Sequence, residues 1–202
     1  MNLRVCLTVA IVSLVLLWGC AGTPATRFYI LAAVAEIPLA RPNNTATPVT
    51  LVIRDVRLPQ YLDRPQIVTR SSGNRLQIAE FEHWGGNLRE GMTRALAENL
   101  GRLLESDRVI AAPYSMLLQP DYRVEVEVLR FEREAEGRVR LSARWWLTRG
   151  SDAAILASPE ASFLGTSLGE AASYEALVAS MSSVYGELSQ AIAASVRAAG
   201  GA

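Results

Sequence analysis

The side chains able to make and break bonds are few and far apart in this chain. The only histidine is His83, and the only thiols are Cys6 and Cys20. A nucleophilic triad needs a base beside its nucleophile and a third group that orients the base, so any such set would have to centre on His83. A metal site meets the same shortage: one imidazole and no spare thiolates leave carboxylates alone, and these are not gathered in an Asp-rich loop. Asp55 and Asp63 stand near Arg54, Arg57 and Arg64, a spacing that reads as surface ion pairs of little energetic weight. Gly85-Gly86, ahead of a helical pattern, could offer amides to an anion or form a hinge into the first turn. The chain is therefore expected to be no enzyme, with no catalytic residues, no metal and no cofactor.

Cys20 has a different chemistry. It closes the string Leu17-Trp18-Gly19-Cys20, after a start carrying Arg4 and an apolar run from Val5 to Leu17. That run is too short to cross a bilayer as a stable helix, and the whole segment reads as a secretion signal. Leu17 and Gly19 resemble the lipobox of bacterial lipoprotein signals, cut between Gly19 and Cys20, whereas Trp18 departs from the small residue usual there. An ordinary signal peptide cut elsewhere and an uncleaved anchor are the alternatives. After cleavage the Cys20 sulfur would carry acyl chains, with palmitate expected among them, and Cys6 would be gone, so no disulfide could form. One acyl chain binds membranes marginally and several bind durably. Ala21 follows the cysteine where lipoproteins retained in the inner membrane of enterobacteria resemble one another in having Asp. The expected location is thus the periplasmic face of the outer membrane, with inner-membrane retention the lesser alternative.

The remainder is one domain's worth of chain. All twenty basic residues are arginine, against twenty acidic ones, so removal of Arg4 leaves no basic footprint for nucleic acid. The expected division is a signal over 1–19, a lipidated tether over 20–26 and a single domain over 27–202. A tether this short reaches roughly 25 Å at about 3.3–3.6 Å per residue, which keeps the body close to its membrane. Residues 37–48, with Pro38, Pro42 and Pro48, read as a surface loop.

Hydrophobic periodicity supplies the elements. Arg27 to Leu31 is strand-like, and Val49 to Val56 is a β-branched run of strand length. Gln66–Arg70 and Arg75–Glu80 flank Ser71-Ser72-Gly73-Asn74 as a hairpin. Asn87 followed by Glu90 is a capping-box variant opening a helix whose stripe is Leu88, Met92, Ala95, Leu96, Leu100, Leu103 and Leu104. Tyr122, Val124, Val126 and Val128 alternate with charges, and Ala135-Glu136-Gly137 turns into Val139, Leu141, Ala143, Trp145 and Leu147, with a bulge expected near Val128-Leu129. One more strand falls between Ala153 and Phe163, at an edge because of Pro159. A last helix runs from Tyr174 to Gly200. The fold class expected is α+β: about six strands in an antiparallel or mixed sheet, with two long amphipathic helices on one face.

The order Arg27-Phe28-Tyr29-Ile30-Leu31, Val52-Ile53-Arg54-Asp55-Val56, Leu58-Pro59-Gln60-Tyr61-Leu62-Asp63-Arg64-Pro65-Gln66-Ile67-Val68, Asn74-Arg75-Leu76 and Phe81-Glu82-His83-Trp84-Gly85 resembles the PqiC-like, or ABC-type transport auxiliary, lipoproteins. The resemblance implies a non-enzymatic component of a lipid-transport system. In such systems an MCE-domain protein and an inner-membrane ABC transporter or permease are the partners, and the lipoprotein works as a homo-oligomeric docking ring. A lipid or solute carrier and an envelope-integrity or outer-membrane assembly lipoprotein are the alternatives.

Four residues are candidates for a partner interface. Tyr61 and Arg64 lie in the loop Leu58 to Pro65, which is either a partner surface or a packed connection. Trp84 either staples the first helix or lines an interface. Trp146 falls on the polar face of its strand, opposite Trp145, and aromatic residues and arginine are enriched at interface cores.

Overall fold

The fold is seen in a computed structural model, which describes residues 24–34, 48–112, 119–169 and 171–201. The expected cleavage and acylation residues Gly19 and Cys20, and nearly all of the 37–48 loop, lie outside the described residues. Nine strands form one mixed sheet: β1 (Arg27–Tyr29), β2 (Leu51–Arg57), β3 (Gln66–Ser72), β4 (Arg75–Trp84), β5 (Val109–Ala111), β6 (Tyr122–Arg133), β7 (Arg138–Arg149), β8 (Ile155–Ala157) and β9 (Glu160–Ser167). Two helices, α1 (Leu88–Leu103) and α2 (Tyr174–Gly200), complete it. The α+β class is as expected, but the strand count is larger. Val109–Ala111 is three residues long and too short to display a period, and the segment around Pro159 divides into β8 and β9 because proline has no amide for the ladder.

The strand order is β1-β4-β3-β6-β2-β5, with β7 paired to β6, β8 and β9. The β6–β7 hairpin is its spine. Val124 stands opposite Leu147, Val126 opposite Trp145 and Val128 opposite Ala143, and the register slips between Val128 and Arg130, which is the bulge that broken alternation predicts. Gly137 makes the turn possible: its φ is +79°, a region where a Cβ is strained.

Both helices begin as their sequences predict. The Asn87 Oδ1 accepts from the Glu90 amide at 3.2 Å, and the Ser173 Oγ from the Ala176 amide at 3.2 Å, each satisfying an orphan donor of a first turn. Leu88, Met92, Ala95, Leu96, Leu100 and Leu103 of α1 are buried, as are Leu177, Val178, Met181, Val184, Tyr185, Leu188, Ile192 and Val196 of α2. Leu104 lies just past α1 and is partly buried against the core. Polar groups fix how the two helices meet. The Tyr185 hydroxyl donates to the Met92 carbonyl at 3.0 Å, and Asn99, fully buried, donates from Nδ2 to Ser189 Oγ at 3.1 Å.

The chain after β1 crosses this helix pair. The Ala32 amide donates to Ser182 Oγ at 3.2 Å and the Val34 amide to Asn99 Oδ1 at 3.0 Å. Val34 can lie so close only because position 186 is glycine, where a Cβ would come within 2.5 Å of Val34 Cγ2.

Candidate functional site

On the sheet face away from the helices, alternation on β7 sends Trp145 inward and Trp146 outward. Trp145 is buried and its indole donates to Ser195 Oγ of α2 at 3.3 Å. Trp146 is half-buried, with the Arg57 guanidinium 5.5 Å and the Arg144 guanidinium 6.0 Å from its ring centroid. Both lie within the range of cation–π attraction. Glu125, opposite Trp146 in the ladder, is shared by Arg54 at 3.5 Å and Arg57 at 3.6 Å, and Arg144 bonds Glu160 of β9 at 2.5 Å. The arginines are thereby held close to the indole, giving an aromatic centre ringed by paired charges. Asp55 is 4.0 Å from Arg57 and Asp63 is 2.8 Å from Arg89.

The other candidate residues sit elsewhere. Leu62 is buried, and half-buried Tyr61 turns its hydroxyl inward to donate to Glu132 Oε2 at 2.8 Å. Burial, and then the hydrogen bond to Glu132, push the Tyr61 phenol well above the usual tyrosine range. Arg64 is half-buried and donates to Gln66 Oε1 at 3.2 Å. Trp84 is buried at the end of β4, its amide donating to the Pro65 carbonyl at 2.7 Å. The structure thus separates Trp146 from Trp84 and joins Tyr61 to a group that no sequence motif marks.

That group is Glu132, whose side chain is 0% exposed. Besides Tyr61, Arg70 donates to its Oε1 through Nε at 2.9 Å, and the Phe131 amide donates to its Oε2 at 2.9 Å. Arg130 reaches Oε1 at 3.4 Å. A second buried acid, Glu82, accepts from Arg27 and from the Tyr29 hydroxyl at 2.7 Å. The Arg27 hydrogen bonds hold the Glu82 carboxyl below the usual carboxylate range, against the opposing effect of burial. Both acids carry fixed partners, an arrangement that organises the fold.

His83 is half-buried, with Nε2 at 3.0 Å from the Glu80 carbonyl and its ring edge-on to Phe28 at 6.0 Å. Among the described residues no group of three or more His, Cys, Asp or Glu is placed to hold a metal ion, and no helix is long and apolar enough to cross a membrane. The Gly85 amide donates to the Tyr29 carbonyl at 2.7 Å, so this backbone donor is already satisfied within the sheet edge.

The family model for the ABC-type transport auxiliary lipoprotein component matches residues 29–193, from β1 to the last turns of α2. The chain belongs to this family. Membership makes it an auxiliary lipoprotein component of ABC-type transport. The crystal structure of an uncharacterized protein is similar at 20% identity and a TM-score of 0.67, covering 86% of this chain and 99% of that one. A protein from Xanthomonas campestris is similar at 15% identity and a TM-score of 0.67, covering 83% of this chain and 93% of that one. At these identities the likeness speaks for the fold alone. No match was found among curated proteins.

Proposed function

We propose that this lipoprotein is a non-enzymatic docking component for intermembrane lipid transport, receiving an MCE-domain protein of an ABC transporter or permease system at the periplasmic face of the outer membrane. Membership of the transport auxiliary family over residues 29–193 carries the reading. The body, 27–202, is proposed as a single domain held by Cys20, acylated after cleavage behind Gly19, through the tether 20–26. It assembles as a homo-oligomer, with the Trp146 face as the leading partner surface and Arg64 in the Leu58–Pro65 loop as a secondary contact; Tyr61 and Trp84 would act from beneath by holding those segments in place.

The interior favours an adaptor over a carrier. A lipid carrier needs an apolar cavity of several hundred Å³ within one protomer. Fully buried Phe131, Tyr185, Met92 and Leu96 fill the space between sheet and helices here. A depression of about 420 Å³ beside the β6–β7 hairpin end is lined by Gln119, Asp121, Arg149 and Ser151 among others, and one of about 310 Å³ at the opposite end by Arg70, Gln77, Arg133 and Glu134. Both linings are more polar than apolar, where acyl chains need a mostly apolar wall.

The test is affinity purification of the native lipoprotein from membranes, followed by identification of what accompanies it. An MCE-domain protein should co-purify, and Trp146→Ala with Arg57→Ala should reduce its yield while the protein keeps its circular dichroism. Purification that brings down no MCE-domain protein, or brings tightly bound lipid with the monomer, would overturn the docking reading.

A further inference from the structure

Among the described residues the large apolar side chains left exposed are Phe28, Ile30, Ile78, Ile155 and Leu164. Two of them stand two residues apart at the first strand, 67% and 64% exposed. Alternation explains the pairing. Arg27 and Tyr29 turn toward Glu82, so Phe28, and Ile30 just past the end of β1, fall on the other side. There Phe28 lies opposite His83 on β4, and Ile30 lies over Gly85, where a Cβ would come within 3.2 Å of Ile30 Cγ2. The strand is rigidly held by the Glu82 bonds on one side and by Ala32 and Val34 on the helices beyond it. The apolar pair is therefore presented at a fixed place.

We propose that Phe28 and Ile30 form a membrane-contact patch that rests on the lipid surface beside the acyl anchor; this rests on the reading of Cys20 as the acylated residue. Phe28 is eight residues from Cys20, which spans about 29 Å at most at roughly 3.6 Å per residue, and the patch is the part of the described domain nearest the anchor in the chain. Arg94 of α1, exposed on the depression that Ile30 also lines, supplies a cation for lipid phosphate, one turn from Glu90 on the same lining. A second copy of the chain suits the patch less well. Two side chains cover a few hundred Å² at most, against roughly 1,200–2,000 Å² in a stable interface, and β1 has three residues, too few to template strand addition. A membrane already gripped by acyl chains needs only a small apolar addition to set the body's orientation.

The experiment uses the full lipidated chain in phosphatidylethanolamine–phosphatidylglycerol vesicles. Phe28→Cys, Ile30→Cys and, on the other wing of the sheet, Ile155→Cys each receive a spin label, the Cys20 sulfur being blocked by its thioether. Labels at 28 and 30 should lose collisions with a water-soluble nickel chelate and gain collisions with lipid-soluble oxygen relative to 155. Phe28→Ser should partly reverse this at position 30. Equal nickel access at all three positions overturns the proposal. Protection from both relaxers, with spin–spin broadening that vanishes on dilution with unlabelled protein, overturns it in favour of a second copy. An intact mass without acyl groups refutes the anchor reading itself and the patch with it, a failure distinct from an acylated chain whose labels stay in water.

Discussion

Arg70→Met tests whether Glu132 is a charged anchor at the centre of the sheet. The Glu132 side chain is 0% exposed and that of Arg70 16% exposed, their ion pair measuring 2.9 Å, so the substitution strands a carboxylate that water cannot reach. Removing one partner of a buried pair costs about 3–5 kcal/mol. Arg130, 3.4 Å away and 36% exposed, relieves part of that, and a loss of about 3 kcal/mol is expected. Tyr61→Phe removes a single hydrogen bond to the same carboxylate, at 2.8 Å, and should cost about 2 kcal/mol. Because both groups serve one acceptor, the double variant should depart from the sum by at least about 0.5 kcal/mol. Replacing the whole set with apolar residues, as Arg70→Met, Glu132→Leu and Tyr61→Phe together, should recover much of the loss, since the uncompensated charge is then gone. Equilibrium urea unfolding of the detergent-solubilised protein, read by tryptophan fluorescence, supplies each value. A cost below about 1 kcal/mol for Arg70→Met, or a triple variant less stable than Arg70→Met alone, would falsify the claim that the buried Glu132 side chain depends on that guanidinium.

Three further outcomes follow from specific contacts. Gly150→Ala should destabilise by about 3 kcal/mol, the upper end for overpacking, because its Cβ would fall 1.5 Å from the Pro120 carbonyl oxygen; thermal melting checks this, and an unchanged Tm would contradict that close approach. Glu82 has its folded pKa lowered chiefly by Arg27, so its contribution is present above the unfolded carboxylate pKa, about 4.3, and is lost as pH falls through the lower folded value. The stability advantage over Glu82→Gln should therefore hold at neutral pH and fade in acid, and a difference in melting temperature independent of pH between 7 and 3 would be inconsistent with an ionised Glu82. Asn99→Ala leaves the Val34 amide without its 3.0 Å acceptor, at a cost of about 1–3 kcal/mol, and hydrogen exchange at Val34 should accelerate selectively while that at Val126 in β6 stays slow.

Elements with long periods were legible in the sequence. The α1 and α2 stripes, the cap at Asn87 and the β6–β7 hairpin follow from side-chain spacing, because a helix or half-buried strand repeats its apolar choice over many residues. Short strands were not, since β5 and β8 have three residues each and rest on neighbours supplied from elsewhere in the chain. Glu132 was equally hidden. It follows Phe131 on a strand of alternating charge and looks like its solvated neighbours Glu125 and Glu127, yet the bulge near Val128–Arg130 shifts the register and leaves Phe131 and Glu132 both fully buried. Tyr61 shows the same dependence, since a loop tyrosine points outward or inward according to whether an acceptor waits beneath it.

The sequence by itself determined the class of protein: the cysteine after an apolar run, the absence of lysine, the single histidine and the family string all survive in one dimension because each concerns residue type or near-neighbour spacing. The tertiary structure alone decided which face each candidate presents and what each polar group meets. It set Trp146 between Arg57 and Arg144, drew Glu132 to Tyr61 and Arg70, and left Phe28 and Ile30 uncovered. The physical reason is that burial and pairing are properties of residues brought together across 50 or more positions, such as Arg27 with Glu82 or Tyr61 with Glu132, separated by 55 and 71 residues, and no local pattern records such a meeting.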